Sequence, residues 1–220
     1  MAHFGIQRHL THVAAGRTGT PDSAHEPRSL GNDDITLVNL ENVFNDDAPA
    51  SKSRYAFRGP VSYAALLPAN SIEAVNLANN HILDYHGPGL VETLEVLDVA
   101  GIRHVGAGRT AAEAAAPVVV ERRGVTVGIL GYTDNEPGWA AGDGRPGTRF
   151  IDVNDIPRVQ SDVRALKERV DLVIVTIHWG PNMRLKPTPE FRRFAHGAID
   201  AGADRAMGEA PELGRRLEAH

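Results

Sequence analysis

An α/β fold with mixed sheets is the class this sequence predicts, and three observations carry it. Runs rich in Val, Ile and Leu at residues 35–40, 72–77 and 172–177 read as strands buried on both faces. Segments with helical apolar spacing at 90–100, 154–169 and 190–201 alternate with them. The apolar segments 117–122 and 125–132 bracket Arg123-Gly124, a hairpin signature that brings antiparallel pairing into the same fold.

Composition narrows the partners. The chain has 220 residues, 42% hydrophobic and 23% charged, enough for one sizeable core. Its net charge of −5 and its lack of a basic stripe argue against nucleic acid and anionic membrane surfaces. With no cysteine, disulfides, zinc–thiolate sites and cysteine nucleophiles are excluded. No apolar run reaches the roughly 18 residues of a transmembrane helix. Residues 1–10 lack the apolar core of a signal peptide, so the cytoplasm is the default expectation.

Residues 1–28 carry His3, His9, His12 and His25 among Gly, Thr, Ala and Pro, and read as an irregular leader. A single domain is expected from 29 to 220. Strand 35–40 ends in Glu41-Asn42, and 42–59 is a polar loop in which 54–58 suits a short strand. Arg54 and Arg58 are candidates to face an anionic ligand, or simply solvated arginines. Residues 61–68 suit one or two helical turns, and strand 72–77 follows. Gly87-Pro88-Gly89 breaks the chain before helix 90–100, whose apolar stripe is Leu90, Val91, Leu94, Leu97 and Val99. Gly101 ends that helix in the left-handed conformation. A short strand at 102–105, a short helix at 111–115 and the hairpin come next. Residues 133–148 form a Gly/Pro-rich loop holding Trp139, of a length that suits a functional or a mobile segment. Asn154 is positioned to cap helix 154–169, with Pro157 in its first turn. After strand 172–177 and helix 190–201, Gly202 caps, 203–208 reads as a strand and 211–219 as helix-like.

The chemistry gathers at strand ends, where open α/β sheets place their sites. Asn79-Asn80-His81 and Asp84 follow the second core strand, Glu41 follows the first, and His178-Trp179-Gly180 follows the third. Carboxylate, amide oxygen and imidazole nitrogen together suit a divalent metal such as Mn, Fe or Zn. Glu41, Asn80 and His178 supply one of each. His81 has an imidazole suited to protonating a leaving oxygen, and Asp84 is placed to orient it. Taken singly, Asn80 and Asp84 also read as an Asx turn, and His178 as a hydrogen-bonded core histidine. Three such strand ends together favour a site.

Asn39-Leu40-Glu41, the stretch from Leu77 to Asp84, residues 87–101, Gly106-Ala107-Gly108 and Ile177-His178-Trp179-Gly180 resemble, in collinear order, the CapA family of capsule or poly-γ-glutamate synthesis proteins. That family lies within the calcineurin-like metallophosphatase superfamily. The resemblance implies a four-layer αββα sandwich with a dinuclear metal site between the two sheets; one or two ions are expected in this chain. It implies Glu41 as bridging carboxylate, Asn80 as amide ligand, His81 as catalytic imidazole and His178 as strand-end ligand. The family's opening Gly-Asp motif has no clear counterpart before Asn39. Glu209 and Glu212 stand where late histidines are expected, and both remain candidate ligands because glutamate binds hard cations. Without the opening aspartate at most one well-made metal position is expected, and with the sequence ending at His220, ahead of the family's closing strands, an incomplete sandwich. Trp179 joins Arg54 and Arg58 as a candidate substrate contact.

Two functions follow from that resemblance. One is a metal-dependent hydrolase acting on a phosphate ester or related bond, with His81 as proton donor to the leaving group. The other is a non-catalytic or truncated domain that binds an acidic polymer or a partner. Family members are often membrane-associated or exported.

Overall fold

The computed structural model describes residues 34–52, 55–180 and 187–209, with two short strands outside them, β1 (Ile6–Gln7) and β13 (Leu217–Glu218). The first sheet has the order β1-β2-β5-β6, where β2 is Leu37–Leu40, β5 is Ala74–Asn76 and β6 is Arg103–Val105. Strands β2, β5 and β6 run parallel, and β1 closes the edge antiparallel with Ile6 opposite Leu40. Thus two residues of the expected leader form a strand. The second sheet has the order β13-β12-β11-β9-β8, with β8 at Val118–Arg122, β9 at Val125–Thr133, β11 at Leu172–His178 and β12 at Arg205–Glu209. Its β9, β11 and β12 are parallel; β8 and β13 flank them antiparallel. Two small pairs are added, β3 (Val43–Phe44) with β4 (Arg58–Gly59) and β7 (Ala107–Gly108) with β10 (Gly147–Thr148); β3 follows β2 and β7 follows β6 of the first sheet.

Three apolar cores stack these sheets into four layers, and two short helices, α1 (Leu66–Ala69) and α3 (Ala111–Ala115), lie in the connections. Leu90, Leu94 and Leu97 of α2 (His86–Val99) pack with Val38, Leu40, Val75 and Leu77 against the outside of the first sheet. Ile35, Leu37, Val105, Ile129, Ile174 and Met207 fill the space between the sheets. Val159, Val163 and Leu166 of α4 (Ile156–Lys167) and Phe191 and Phe194 of α5 (Pro189–Asp200) cover the outside of the second. The αββα arrangement expected from the motifs is therefore present.

Local chemistry explains most boundaries. In the β8–β9 hairpin, Arg123 and Gly124 both take positive φ, 52° and 77°, as a two-residue turn matched to strand twist requires. Gly101 and Gly202 close their helices at φ 72° and 110°. Helix α2 starts at His86, four residues before the start expected from the glycines. Pro88 lies in the first turn, where a missing N–H costs nothing. Each helical glycine costs about 1 kcal/mol, whereas each buried leucine contributes roughly 1.5–3 kcal/mol, so the buried stripe of Leu90, Leu94 and Leu97 decides the outcome. Gly89 is needed for space: a Cβ there would meet Tyr85 Cβ at 2.5 Å and Val43 Cγ1 at 3.1 Å. The cap of α4 is Asp155, which accepts from Arg158 N at 3.3 Å, and not the expected Asn154. Of the segment 211–219 expected to be helical, residues 217–218 pair as a strand with Met207 and Gly208, and the rest lies outside the described residues.

Near their carboxyl-terminal ends the two sheets come into close contact, and glycine permits it. A Cβ on Gly131 of β9 would sit 2.7 Å from Asn76 Oδ1 and 2.7 Å from Val105 Cγ2, both on the first sheet. Gly131→Ala must wedge the layers apart. It should lower unfolding stability by about 1–3 kcal/mol, measured by urea denaturation. An unchanged midpoint would mean that the sheets are not in contact there.

Candidate functional site

The polar strand ends meet across the gap between the sheets. Parallel pairing puts the ends of β2 and β5 side by side in the first sheet, and those of β9 and β11 side by side in the second. His178, the last residue of β11, is fully buried, and so are Asn39 and Asn79. His178 Nε2 lies 3.1 Å from Glu41 Oε1 and 2.9 Å from Asn80 Oδ1. Its other ring nitrogen, Nδ1, lies 3.2 Å from Asn39 Nδ2. Three residues from the first sheet thus converge on one imidazole of the second.

A second, partly exposed histidine stands beside this cluster. His81 Nδ1 is 2.8 Å from Asp84 Oδ2, which also accepts from Phe57 N at 2.8 Å. The ring of Phe57 stacks on His81 at 4.0 Å between centroids and 18° between planes. Carboxylate on one edge and phenyl on one face hold the imidazole in a single orientation, and the arrangement leaves Nε2 for an external partner. The turn carrying these residues is set by asparagines: Asn76 Oδ1 accepts from Ala78 N at 3.0 Å, and Asn79 Oδ1 from His81 N at 3.0 Å. The Asx turn expected at Asn80 belongs to Asn76 and Asn79 instead, which leaves the Asn80 amide oxygen directed at His178.

The donor set fits a divalent cation. Bonds of about 2.1 Å at right angles place neighbouring ligands roughly 3.0 Å apart. The separations of 2.9 and 3.1 Å from His178 Nε2 match two such edges. Among the described residues no three His, Asp or Glu side chains gather on one point; a cation here would need the amide oxygen of Asn80 beside Glu41 and His178. Glu209 ends β12 with its backbone opposite His178, and the description does not extend to its side chain. Glu212 and Arg54 lie outside the described residues. Arg58 sits on β4, its Nη1 donating to Asp46 O at 3.2 Å and its guanidinium 5.4 Å from the Tyr85 ring centroid.

Trp179 corrects an expectation. It is only 2% exposed, stacked on Phe191 at 4.6 Å and edge-on to Phe194 at 6.1 Å. A side chain committed to the core beneath α5 is not available to a substrate. The apolar surface it buries there anchors the strand end that carries His178.

One residue escaped the sequence reading. Asp134 follows β9, beside the end of β11, and its N–H donates to His178 O at 3.3 Å. Asp134 Oδ1 accepts from Gly180 N at 2.9 Å, tying together the chain on both sides of Trp179. Burial holds its carboxyl above the usual range, only partly offset by the Gly180 N–H. The signal was its register: it is the residue just past Thr133, the partner of His178. Because the folded pKa is raised, stability is fully present below the unfolded pKa near 3.9 and falls as pH rises through the folded value. Asp134→Asn keeps the acceptor and removes the charge. Its melting temperature should gain on the parent's as pH rises from 4 to 7, and a constant difference would contradict this.

Comparison with known proteins places the chain among capsule-synthesis proteins. The family model described as bacterial capsule synthesis protein PGA_cap matches residues 5–220. A probable polyglutamine synthesis accessory protein of Mycobacterium tuberculosis is 36% identical over 204 residues, covering 85% of this chain and 52% of that protein. The capsule biosynthesis protein CapA of Bacillus anthracis is 33% identical over 141 residues, 63% of this chain and 34% of that one. The chain thus spans about half the length, or less, of these relatives. Among solved structures, a 5'-nucleotidase precursor from Thermus thermophilus aligns with 74% of this chain and 37% of its own, at 17% identity and a TM-score of 0.40. No helix among the described residues is long and apolar enough to cross a membrane.

Proposed function

Because the chain belongs to the bacterial capsule synthesis protein PGA_cap family, we propose that it serves the synthesis of an anionic capsule-type polymer through a cation-dependent hydrolytic site. Glu41, Asn80 and His178 hold the cation, Mn, Fe or Zn, and His81 handles the proton. The carrying observation is the convergence of Asn80 Oδ1 and Glu41 Oε1 on His178 Nε2, at 2.9 and 3.1 Å. A bound divalent cation supplies Lewis-acid polarisation of a phosphoryl or carbonyl oxygen.

The protein's own groups account for the rest. Asp84 accepts the Nδ1 proton of His81, keeping that ring in one tautomer when it is neutral. In the protonated ring, Nε2–H is the acid available to a leaving oxygen, and Phe57 shields one ring face from water. The acid and the three ligands are fixed relative to each other because Asn80 and His81 are adjacent in a turn that asparagine side chains lock. Arg58, and Arg54 four residues before it, supply positive charge for an anionic substrate, either the polymer or a phosphate ester.

A second reading, binding of an acidic polymer or partner without turnover, draws on Glu209 and Glu212 standing where the family resemblance places histidines. Turnover assays separate the two. With Mn²⁺ and generic phosphomonoester and phosphodiester substrates, His81→Ala should lose about 10²–10⁴-fold in rate. His178→Ala should lose the Mn²⁺ dependence altogether. Equal rates in parent and His81→Ala would remove the hydrolase reading and leave the binding one.

A further inference from the structure

The hydrogen-bond directions around His178 are over-determined, and they fix which ring nitrogen carries its proton. Asn79 is set first, by backbone groups that have only one role each. Its Nδ2 donates to Leu40 O at 2.9 Å, and its Oδ1 accepts from His81 N at 3.0 Å. Turning this amide over would set oxygen against a carbonyl and NH2 against an N–H. Asn39 is set next, because Asn79 Nδ2 also donates to Asn39 Oδ1 at 3.3 Å. The other end of the Asn39 amide, Nδ2, therefore faces His178 Nδ1 at 3.2 Å. A donor there requires a lone pair on Nδ1. The ring proton then sits on Nε2, aimed at Asn80 Oδ1 and Glu41 Oε1.

Burial makes this sequence of roles binding. Asn39, Asn79 and His178 have no exposure to water, so a reversed amide has no solvent to satisfy it and leaves buried polar groups unpaired. The same directions bear on cation binding, because a cation takes the lone pair of the nitrogen it binds, and Nε2 is the nitrogen beside Glu41 and Asn80. A ligating histidine ordinarily donates its other N–H to a carboxylate or carbonyl. Asn39 offers that nitrogen an NH2 group instead.

We infer that Asn39, held in place by Asn79, is a positioning residue that keeps the His178 proton on Nε2, and that this arrangement restrains cation binding at the Glu41–Asn80–His178 cluster. The inference deepens the cation reading and, in its second half, rests on it. Asparagine to aspartate is the informative change. In Asn39→Asp one oxygen still accepts from Asn79 Nδ2, and the other accepts from His178 Nδ1–H. That moves the ring proton off Nε2 and presents its lone pair to the cluster. Neither role needs a side chain to move.

Two measurements on the full 220-residue chain test it. Long-range ¹H–¹⁵N NMR of the cation-free parent should show His178 with protonated Nε2 and bare Nδ1, and Asn39→Asp should show the reverse. Titration with MnCl2, followed by the loss of the free Mn²⁺ electron paramagnetic resonance signal, should show binding to Asn39→Asp tighter by about 10-fold or more, the scale of such outer-shell effects. A proton on Nδ1 of the parent, or on both nitrogens, overturns the inference. Equal Mn²⁺ affinity in parent and variant overturns the restraint. If neither protein binds Mn²⁺, the cation reading of the cluster falls, while the spectrum of the parent, which needs neither variant nor cation, still decides the role of Asn39.

Discussion

A single imidazole joins the two sheets of this protein at the end where their strands finish. His178 belongs to the second sheet, yet Asn39, Glu41 and Asn80, its polar partners at 3.2, 3.1 and 2.9 Å, all come from the first. A fully buried imidazole without partners would cost more than most side-chain contacts return. Here the cost is offset only when the first sheet lies in one register against the second. The polar junction therefore specifies how the layers meet, while the three apolar cores supply the burial that keeps them together.

That division of labour shows in how each strand end is held. Trp179 is drawn into the core beneath α5, so the residue after His178 anchors the strand end from behind. Asp134 ties the chain together on both sides of that tryptophan. On the other sheet, side chains of Asn76 and Asn79 replace a regular backbone turn and fix Asn80 and His81 next to each other. Gly131 removes the side chain that would otherwise hold the sheets apart. Hydrophobic area sets the distance between layers, and asparagine geometry sets the positions of Asn80 and His81.

Much of this was legible in the sequence. Val/Ile/Leu runs marked the three core strands, and the polar residues ending them drew attention to Glu41, Asn80, His81, Asp84 and His178. Those residues lie in two neighbouring clusters, and Asp84 meets His81 as the three-residue spacing suggested. Other parts depended on packing that no local pattern encodes. Asn39 sits inside an apolar run, and its importance comes from a partner 139 residues away. Trp179 beside a site histidine looked like a substrate contact because the sequence does not show which way a strand-end side chain turns. Helix α2 began earlier than its glycines suggested because the burial of Leu90, Leu94 and Leu97 outweighed the local cost. Glu209 reaches the same edge as His178 through the β11–β12 register, a relation visible only once the strands are paired.

The account stands on one spatial claim, that a divalent cation is held where Glu41, Asn80 and His178 converge. Crystals of the protein soaked in MnCl2, with data collected to locate manganese by its anomalous scattering, test that claim directly. The account predicts an anomalous peak at ordinary ligand distance, about 2.0–2.3 Å, from a carboxylate oxygen of Glu41, Oδ1 of Asn80 and Nε2 of His178. A peak bound elsewhere, with Glu41 Oε1 and Asn80 Oδ1 still 3.1 and 2.9 Å from His178 Nε2, would contradict it.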